Sequence, residues 1–311
     1  MKITILGGTG AMGGVFGARL FLHGHDVTLY DANQAAVMSV KENGLIYTDK
    51  QGVSHTLLIP ATSDASQLPG ADLVIIFVKG MYTQAALEAV KHSITPDTKV
   101  LSLQNGWGHS EVISGIIPKN QMVMGVTYAS GVVTGLGQIK QVGGDDMFIG
   151  NWERPTDDFV QNLAQVFKAI GFNPVVSDRV IVEIWKKLSL NVCTLPTTAI
   201  PRLTADQVPT FEGLVELMQG ILKETVAIAH ANGIPLDYDE RISYIVNLLK
   251  NAKGGRSSML QDFEAKRPTE IDFINGAMVK AGAKAGIPTP YNHAMVCLIK
   301  AIQGSYTPNP G

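Results

Sequence analysis

Two cysteines in 311 residues exclude a disulfide framework and a four-cysteine metal site. Cys193 and Cys297 lie far apart in apolar stretches, and both are expected to be buried free thiols, as suits a reducing compartment. Charge is also scarce, at 17% of residues, while 45% are hydrophobic; that balance points to a large buried core and away from disorder. The 25 basic and 27 acidic residues leave a net charge of −2, so there is no electrostatic footprint for nucleic acid or for an anionic membrane. Long apolar runs are missing too. Leu73–Val78, the longest in the first half, is strand-sized against the ~20 residues of a membrane span. The run after Met1 is too short for a secretory h-region, so a cytoplasmic protein without a membrane partner is expected. The seven histidines show no H-E-x-x-H or paired ligand spacing, so no metal is expected. A serine hydrolase is unsupported, because G-x-S-x-G does not occur.

What is present falls into two patterns. Up to about residue 170, short apolar runs alternate with helical periodicity: Lys2–Leu6, Asp26–Tyr30, Leu73–Val78 and Lys99–Leu103 read as strands, and Ala11–His23 as a helix. Such alternation predicts an α/β, doubly wound, Rossmann-type domain with a parallel sheet. Val126–Val133, Gln138–Val142 and Met147–Ile149 read as later strands open to antiparallel pairing. Beyond Val175, the segments Ile181–Val192, Phe211–Asn232, Tyr238–Asn251, Ile271–Ala285 and Tyr291–Gln303 carry helical periodicity. The expected division is residues 1–178 for a dinucleotide-binding domain and 179–311 for an all-helical substrate and catalytic domain.

The loop Gly8-Thr9-Gly10-Ala11-Met12-Gly13 fits G-x-G-x-x-G between an expected strand and an expected helix, the context that gives the motif meaning. Glycines there permit a tight turn, close approach of backbone to a pyrophosphate, and close helix–strand packing; the helix N-terminus then faces the phosphates. Asp31 ends the second strand 31 − 13 = 18 residues after the last glycine, near the ~20 expected of the acid that binds the adenosine ribose. A carboxylate there accepts from the 2′-hydroxyl and repels a 2′-phosphate. Asp31-Ala32-Asn33-Gln34 also supplies no cation for that phosphate. NAD is therefore expected, with NADP as the alternative; Asp31 could also cap the next helix.

Further motifs follow in order: Val78-Lys79, Gln104-Asn105-Gly106, Trp185-Lys186-Lys187-Leu188 with Asn191, Ser257-Ser258-Met259-Leu260-Gln261-Asp262, Arg267, Thr269-Glu270-Ile271-Asp272 and Asn275-Gly276. Together they resemble the ketopantoate reductase family over essentially the whole chain. The resemblance implies a Rossmann-type domain joined to a helical one, and reduction of a 2-oxo acid to a 2-hydroxy acid. It also implies residue roles. Lys187 would be the general acid and Glu270 its catalytic partner. Asn105, Asn191 and Ser258 would contact substrate, and Lys79 and Asn105 would lie near the cofactor. The residues agree with this chemistry. Lys187 and Asn191 are i and i+4 on one helix and share a face, and a desolvated lysine has a lowered pKa that makes it a usable acid.

The sequence also departs from the family. Positions where ketopantoate reductases carry substrate-binding asparagines hold Leu195, Ala205 and Gly255 here. Apolar groups at these places favour an apolar 2-oxo acid over one carrying a hydroxyl. With Asp31, that combination resembles the NAD-dependent D-2-hydroxyacid (D-mandelate type) dehydrogenases of the same family. A branched or aromatic side chain on the substrate, with Leu195 in its pocket, is thus the leading reading. An NADPH-dependent 2-dehydropantoate 2-reductase is the second and a dinucleotide sensor without turnover the third. A homodimer is expected from the apolar face of the helical domain.

Overall fold

The computed structural model describes residues 1–306 and divides the chain into two compact units. The first comprises Met1–Gln104 and His109–Val180; the second comprises Asn105–Gly108 and the chain from Ile181 onward.

In the first unit, β1 (Lys2–Leu6), β2 (Asp26–Tyr30), β3 (Leu45–Thr48), β4 (Ser54–Leu57), β5 (Ala61–Thr62), β6 (Leu73–Ile76), β7 (Lys99–Ser102), β8 (Met122–Thr127), β9 (Ser130–Gly135), β10 (Gln138–Gly143), β11 (Asp146–Asn151) and β12 (Asn173–Val176) form two sheets. The larger has the order β12-β11-β8-β7-β6-β1-β2-β5. Its stretch from β5 to β8 is wholly parallel, in the order of a dinucleotide-binding fold. β11 then pairs antiparallel with β8. Leu73, Val74, Ile75 and Ile76 have no exposed surface, as a strand covered on both faces demands. α1 (Ala11–Leu22) lies on this sheet through Gly17, whose added Cβ would fall 2.8 Å from Leu29 Cδ2. Its other side meets the smaller sheet, ordered β4-β3-β10-β9, where a Cβ on Gly14 would fall 2.5 Å from Ile139 Cγ1.

Val126–Val133 is not one strand. The chain leaves the large sheet at Thr127 and joins the small one at Ser130. Tyr128 N–H still donates to Asp146 O at 2.8 Å, and Ala129 N–H donates to Thr127 Oγ1 at 3.1 Å, which turns the chain. A continuous apolar pattern carries no mark of such a change of sheet.

The first unit also holds α2 (Gln34–Asn43), α3 (Thr83–Val90), α4 (His109–Ser114) and α5 (Asp158–Ala169). α6 (Val180–Ala199), α7 (Glu212–Ala231), α8 (Tyr238–Asn251), α9 (Ser258–Glu264), α10 (Asn275–Ala285) and α11 (Pro290–Gly304) build the second. Two helices differ from expectation. α6 continues past Val192 and through Pro196. Ile271–Ala285 splits into a 3₁₀ turn at Ile271–Phe273 and α10, because Ile274, at φ −103° and ψ −99°, leaves helical geometry.

Both thiols are free, but only Cys193 is buried; Cys297 is exposed. The covered face of α11 runs through Asn292, Met295 and Ile299, and Cys297 lies off that stripe. Among the described residues, no helix is long and apolar enough to cross a membrane and no cluster of His, Cys, Asp or Glu could hold a metal.

Candidate functional site

The glycine loop joins β1 to α1, and its geometry depends on missing side chains. Gly7 has φ +78°, a conformation that favours glycine, and a Cβ there would lie 2.9 Å from Val78 N. A Cβ on Gly13 would lie 2.1 Å from Gly7 O, and one on Gly8 would lie 2.7 Å from Leu29 Cβ. Gly10 is the N-cap of α1 and supplies no side-chain hydrogen bond to its first turn. The N–H groups of Ala11, Met12 and Gly13 thus head a helix whose N-cap offers them no side-chain acceptor, an arrangement that suits an anion such as a pyrophosphate. The sequence pattern starts at Gly8 and so omits Gly7, whose signal is its place immediately before the motif.

Asp31 follows β2 at the same end of the sheet. Its Oδ2 accepts from Thr9 N–H at 3.0 Å and from Thr9 Oγ1 at 2.7 Å, and its Oδ1 accepts from Asn33 N–H at 3.0 Å. Capping of α2 falls to Asn33, whose Oδ1 accepts from Ala36 N–H at 3.2 Å, so Asp31 is not the cap. Thr9 is only a spacer in the sequence motif; in the fold it clamps the acid. Lys79 is partly exposed between β6 and the 3₁₀ turn Gly80–Tyr82. Beside it, Gln104 Nε2 donates to Val78 O at 2.7 Å and to Thr83 Oγ1 at 2.8 Å.

The remaining six candidates, Asn105, Lys187, Asn191, Leu195, Ser258 and Glu270, all lie in the second unit, where Lys187 and Glu270 are close enough to interact. Lys187 is partly covered, and loss of hydration, working against the upward pull of the nearby Glu270 carboxylate, leaves its pKa lowered from 10.5 to about 8. Glu270 is set in place by its neighbours. Thr269 N–H donates to Gln303 Oε1 at 3.0 Å, and Glu270 O accepts from Phe273 N–H at 2.9 Å and Ile274 N–H at 3.1 Å. The segment Asn105–Gly108 docks on that turn: Trp107 N–H donates to Phe273 O at 2.8 Å. Gly106 has φ +109°, and its added Cβ would fall 2.4 Å from the same oxygen. Trp107 then meets Trp185, two residues before Lys187, with ring centroids 5.2 Å apart at 59°. Lys186 diverges, pairing with Glu183 at 3.1 Å. Asp272 pairs with Lys300 at 2.7 Å, both half-exposed.

Asn191 and Leu195 follow Lys187 along α6 at four-residue spacing and are nearly covered. Ser258 is exposed as the first residue of α9, and Ser257 is the cap, its Oγ accepting from Leu260 N–H at 3.1 Å. Ser257 Oγ also accepts from Thr198 Oγ1 at 2.6 Å, tying the start of α9 to the end of α6. Ala205 N–H donates to Gly255 O at 2.7 Å, so those two apolar positions are neighbours.

Comparison with known proteins gives consistent matches over both units. The family described as ketopantoate reductase PanE/ApbA matches residues 3–154, and its C-terminal counterpart matches 179–303. The 2-dehydropantoate 2-reductase of Streptococcus pyogenes serotype M6 is 31% identical over 300 residues, covering 96% of this chain and 97% of that protein. The enzyme of the same name from Lactococcus lactis subsp. lactis is 32% identical, covering 94% of each. A D-mandelate dehydrogenase solved with NADH and anilino(oxo)acetate superposes with a TM-score of 0.94 at 29% identity, covering 98% of this chain and 99% of that one.

Proposed function

The chain belongs to the ketopantoate reductase family, and from that premise we propose that it transfers a hydride between NAD(H) and a 2-oxo acid/D-2-hydroxy acid pair whose side chain is branched or aromatic. The observation that carries this reading is the pairing of Lys187 with the nearby Glu270, with loss of hydration outweighing the carboxylate's pull and leaving the lysine pKa lowered to about 8. An ammonium of that pKa holds its proton at neutral pH and gives it up readily to an alkoxide. Lys187 would donate a hydrogen bond to the substrate's keto oxygen and then release the proton as negative charge grows there. Glu270 orients the ammonium and keeps it charged until that moment. Asn105, Asn191 and Ser258 are the proposed carboxylate and carbonyl contacts.

Gly8, Gly10, Ala11, Met12 and Gly13 would hold the dinucleotide's pyrophosphate, Asp31 its ribose, and Lys79 with Asn105 its nicotinamide side. Bound NADH supplies the hydride. Thr9 keeps the Asp31 carboxylate facing the loop, which supports NAD over NADP. The D-mandelate dehydrogenase of closely similar fold was solved with NADH, which supports the same choice.

A second reading, an NADPH-dependent 2-dehydropantoate 2-reductase, is favoured by the names of the curated relatives. Against it stand Asp31 and the apolar Leu195, Ala205 and Gly255. A sensor without turnover would have no use for the Lys187–Glu270 pair. The test is loss of NADH or NADPH absorbance against a panel of 2-oxo acids containing ketopantoate and phenylglyoxylate. Turnover of ketopantoate with NADPH above all others selects the second reading, and no turnover with any of them selects the sensor.

A further inference from the structure

Proline has no N–H, so Pro196 leaves the carbonyl four residues earlier, Val192 O, without its helical partner. α6 nevertheless runs unbroken from Val180 to Ala199. The missing donor comes from another helix: Asn275, the first residue of α10, donates from Nδ2 to Val192 O at 3.0 Å. Nδ2 also donates to Asn292 Oδ1 on α11 at 3.0 Å. Asn292 Nδ2 in turn donates to Glu224 Oε2 on α7 at 2.7 Å, and the Glu224 carboxylate accepts the N–H groups of Tyr291 and Asn292 at 2.8 and 3.0 Å. Asn275 and Asn292 have no exposed surface. A buried polar chain thus reaches α6 at its one proline.

The surroundings dictate the orientation of the Asn275 amide. Reversed, its oxygen would face two other oxygens, Val192 O and Asn292 Oδ1. Held as it is, Oδ1 is buried and meets no hydrogen-bond donor among the described residues. A buried acceptor left unsatisfied costs stability and calls for an explanation.

Position supplies one. Asn275 lies five residues after Glu270, across the 3₁₀ turn Ile271–Phe273, and Val192 lies next to Asn191 and five residues after Lys187. We propose that Asn275 is a positioning residue: by replacing the N–H that Pro196 lacks, it fixes the register of the Lys187–Asn191 helix against the Glu270 turn. A directional bond specifies one register, whereas apolar side chains of similar volume pack acceptably in several. The proposal rests on the acid role given to Lys187 above.

The test is a cycle of Asn275→Leu, Pro196→Ala and the double variant in the full chain. In Asn275→Leu, kcat should fall roughly 10–100-fold, the scale of a small misplacement at a reacting centre, with the KM for NADH unchanged. The alkaline limb of kcat should move to lower pH, because Glu270 no longer supports the Lys187 proton as closely. In the double variant, the alanine that replaces Pro196 returns an N–H to Val192 O, so Tm should recover while kcat stays low. Recovery of kcat together with Tm would make Asn275 merely structural and overturn the proposal, as would wild-type kcat and pH profile in Asn275→Leu. If Asn275→Leu does not fold, the double variant alone decides. Competitive acetylation of Lys187 across pH, read by peptide mass spectrometry, gives its titration without turnover. A downward shift in both Asn275 variants supports positioning even if no 2-oxo acid is reduced, and an unchanged titration refutes it even if one is.

Discussion

Removing the Asp31 carboxylate should loosen the cofactor preference by an amount the hydrogen bonds define. An ionised carboxylate offers about four acceptor sites. Thr9 occupies two on Oδ2 and Asn33 one on Oδ1, which leaves one, on Oδ1, for a ribose hydroxyl. A hydrogen bond to a charged group is worth about 1.5–3 kcal/mol, so Asp31→Ala should weaken NADH binding roughly 10–150-fold. The same change lifts a repulsion from NADPH, whose 2′-phosphate would face a fixed negative charge; unit charges 4 Å apart near a protein surface interact by about 4 kcal/mol. Together the two effects should move the NADH/NADPH affinity ratio by at least ~100-fold toward NADPH. Thr9→Val, which leaves the charge but removes one clamping hydroxyl, should move the ratio in the same direction by only about 1 kcal/mol. Calorimetric titration of both dinucleotides into the three proteins reads these numbers directly. Equal affinities in the unmutated protein, or unchanged NADH affinity in Asp31→Ala, would refute the reasoning.

Lys187→Ala should lower kcat by roughly 10²–10⁴-fold while NADH still binds, as measured by steady-state rates beside NADH titration. Reduction requires protonated Lys187, so its kcat should be level at neutral pH and fall as pH rises through about 8; Glu270→Gln should bring that fall to lower pH. The folded pKa of Lys187 lies below its unfolded 10.5, so the unfolded chain holds that proton more tightly; stability should rise with pH from about 8 to 10.5. Lys187→Met should lower turnover as Lys187→Ala does, and with the ammonium gone that rise of stability with pH should vanish. For substrates, kcat/KM for phenylglyoxylate should exceed that for ketopantoate by at least ~10-fold, about one lost hydrogen bond, and Leu195→Asn should shift the ratio back.

Local chemistry made much of this legible. The tight glycine turn between β1 and α1 and the buried strand at Leu73–Ile76 are each specified within a few residues and were legible in the sequence. What escaped depends on partners far along the chain. A helix through Pro196 defies its own local rule, and the donor that meets Val192 O in place of the missing N–H, Asn275, lies 79 residues further on. Thr9 looks like a spacer until Asp31 is folded against it. The break at Tyr128 and Ala129 is invisible in an apolar run because two different sheets want the same residues. β3 and β4, short and part polar, offer no periodicity strong enough to read. Cys297 sits among apolar neighbours in sequence, yet one step of helical rotation puts it outside.

The excursion of Asn105–Gly108 bears on how such a protein can be inherited. The second unit is not one length of chain: four of its residues come from between β7 and α4. A fragment beginning at Ile181 would lose the donor to Phe273 O and the ring that meets Trp185. A chimera that exchanged only the C-terminal half between relatives would pair one lineage's Trp107 with another's Phe273 and Trp185. Recombination at the obvious junction would therefore be penalised unless residues 105–108 crossed with the helices, and those four should co-vary with the helices and not with the sheet that precedes them.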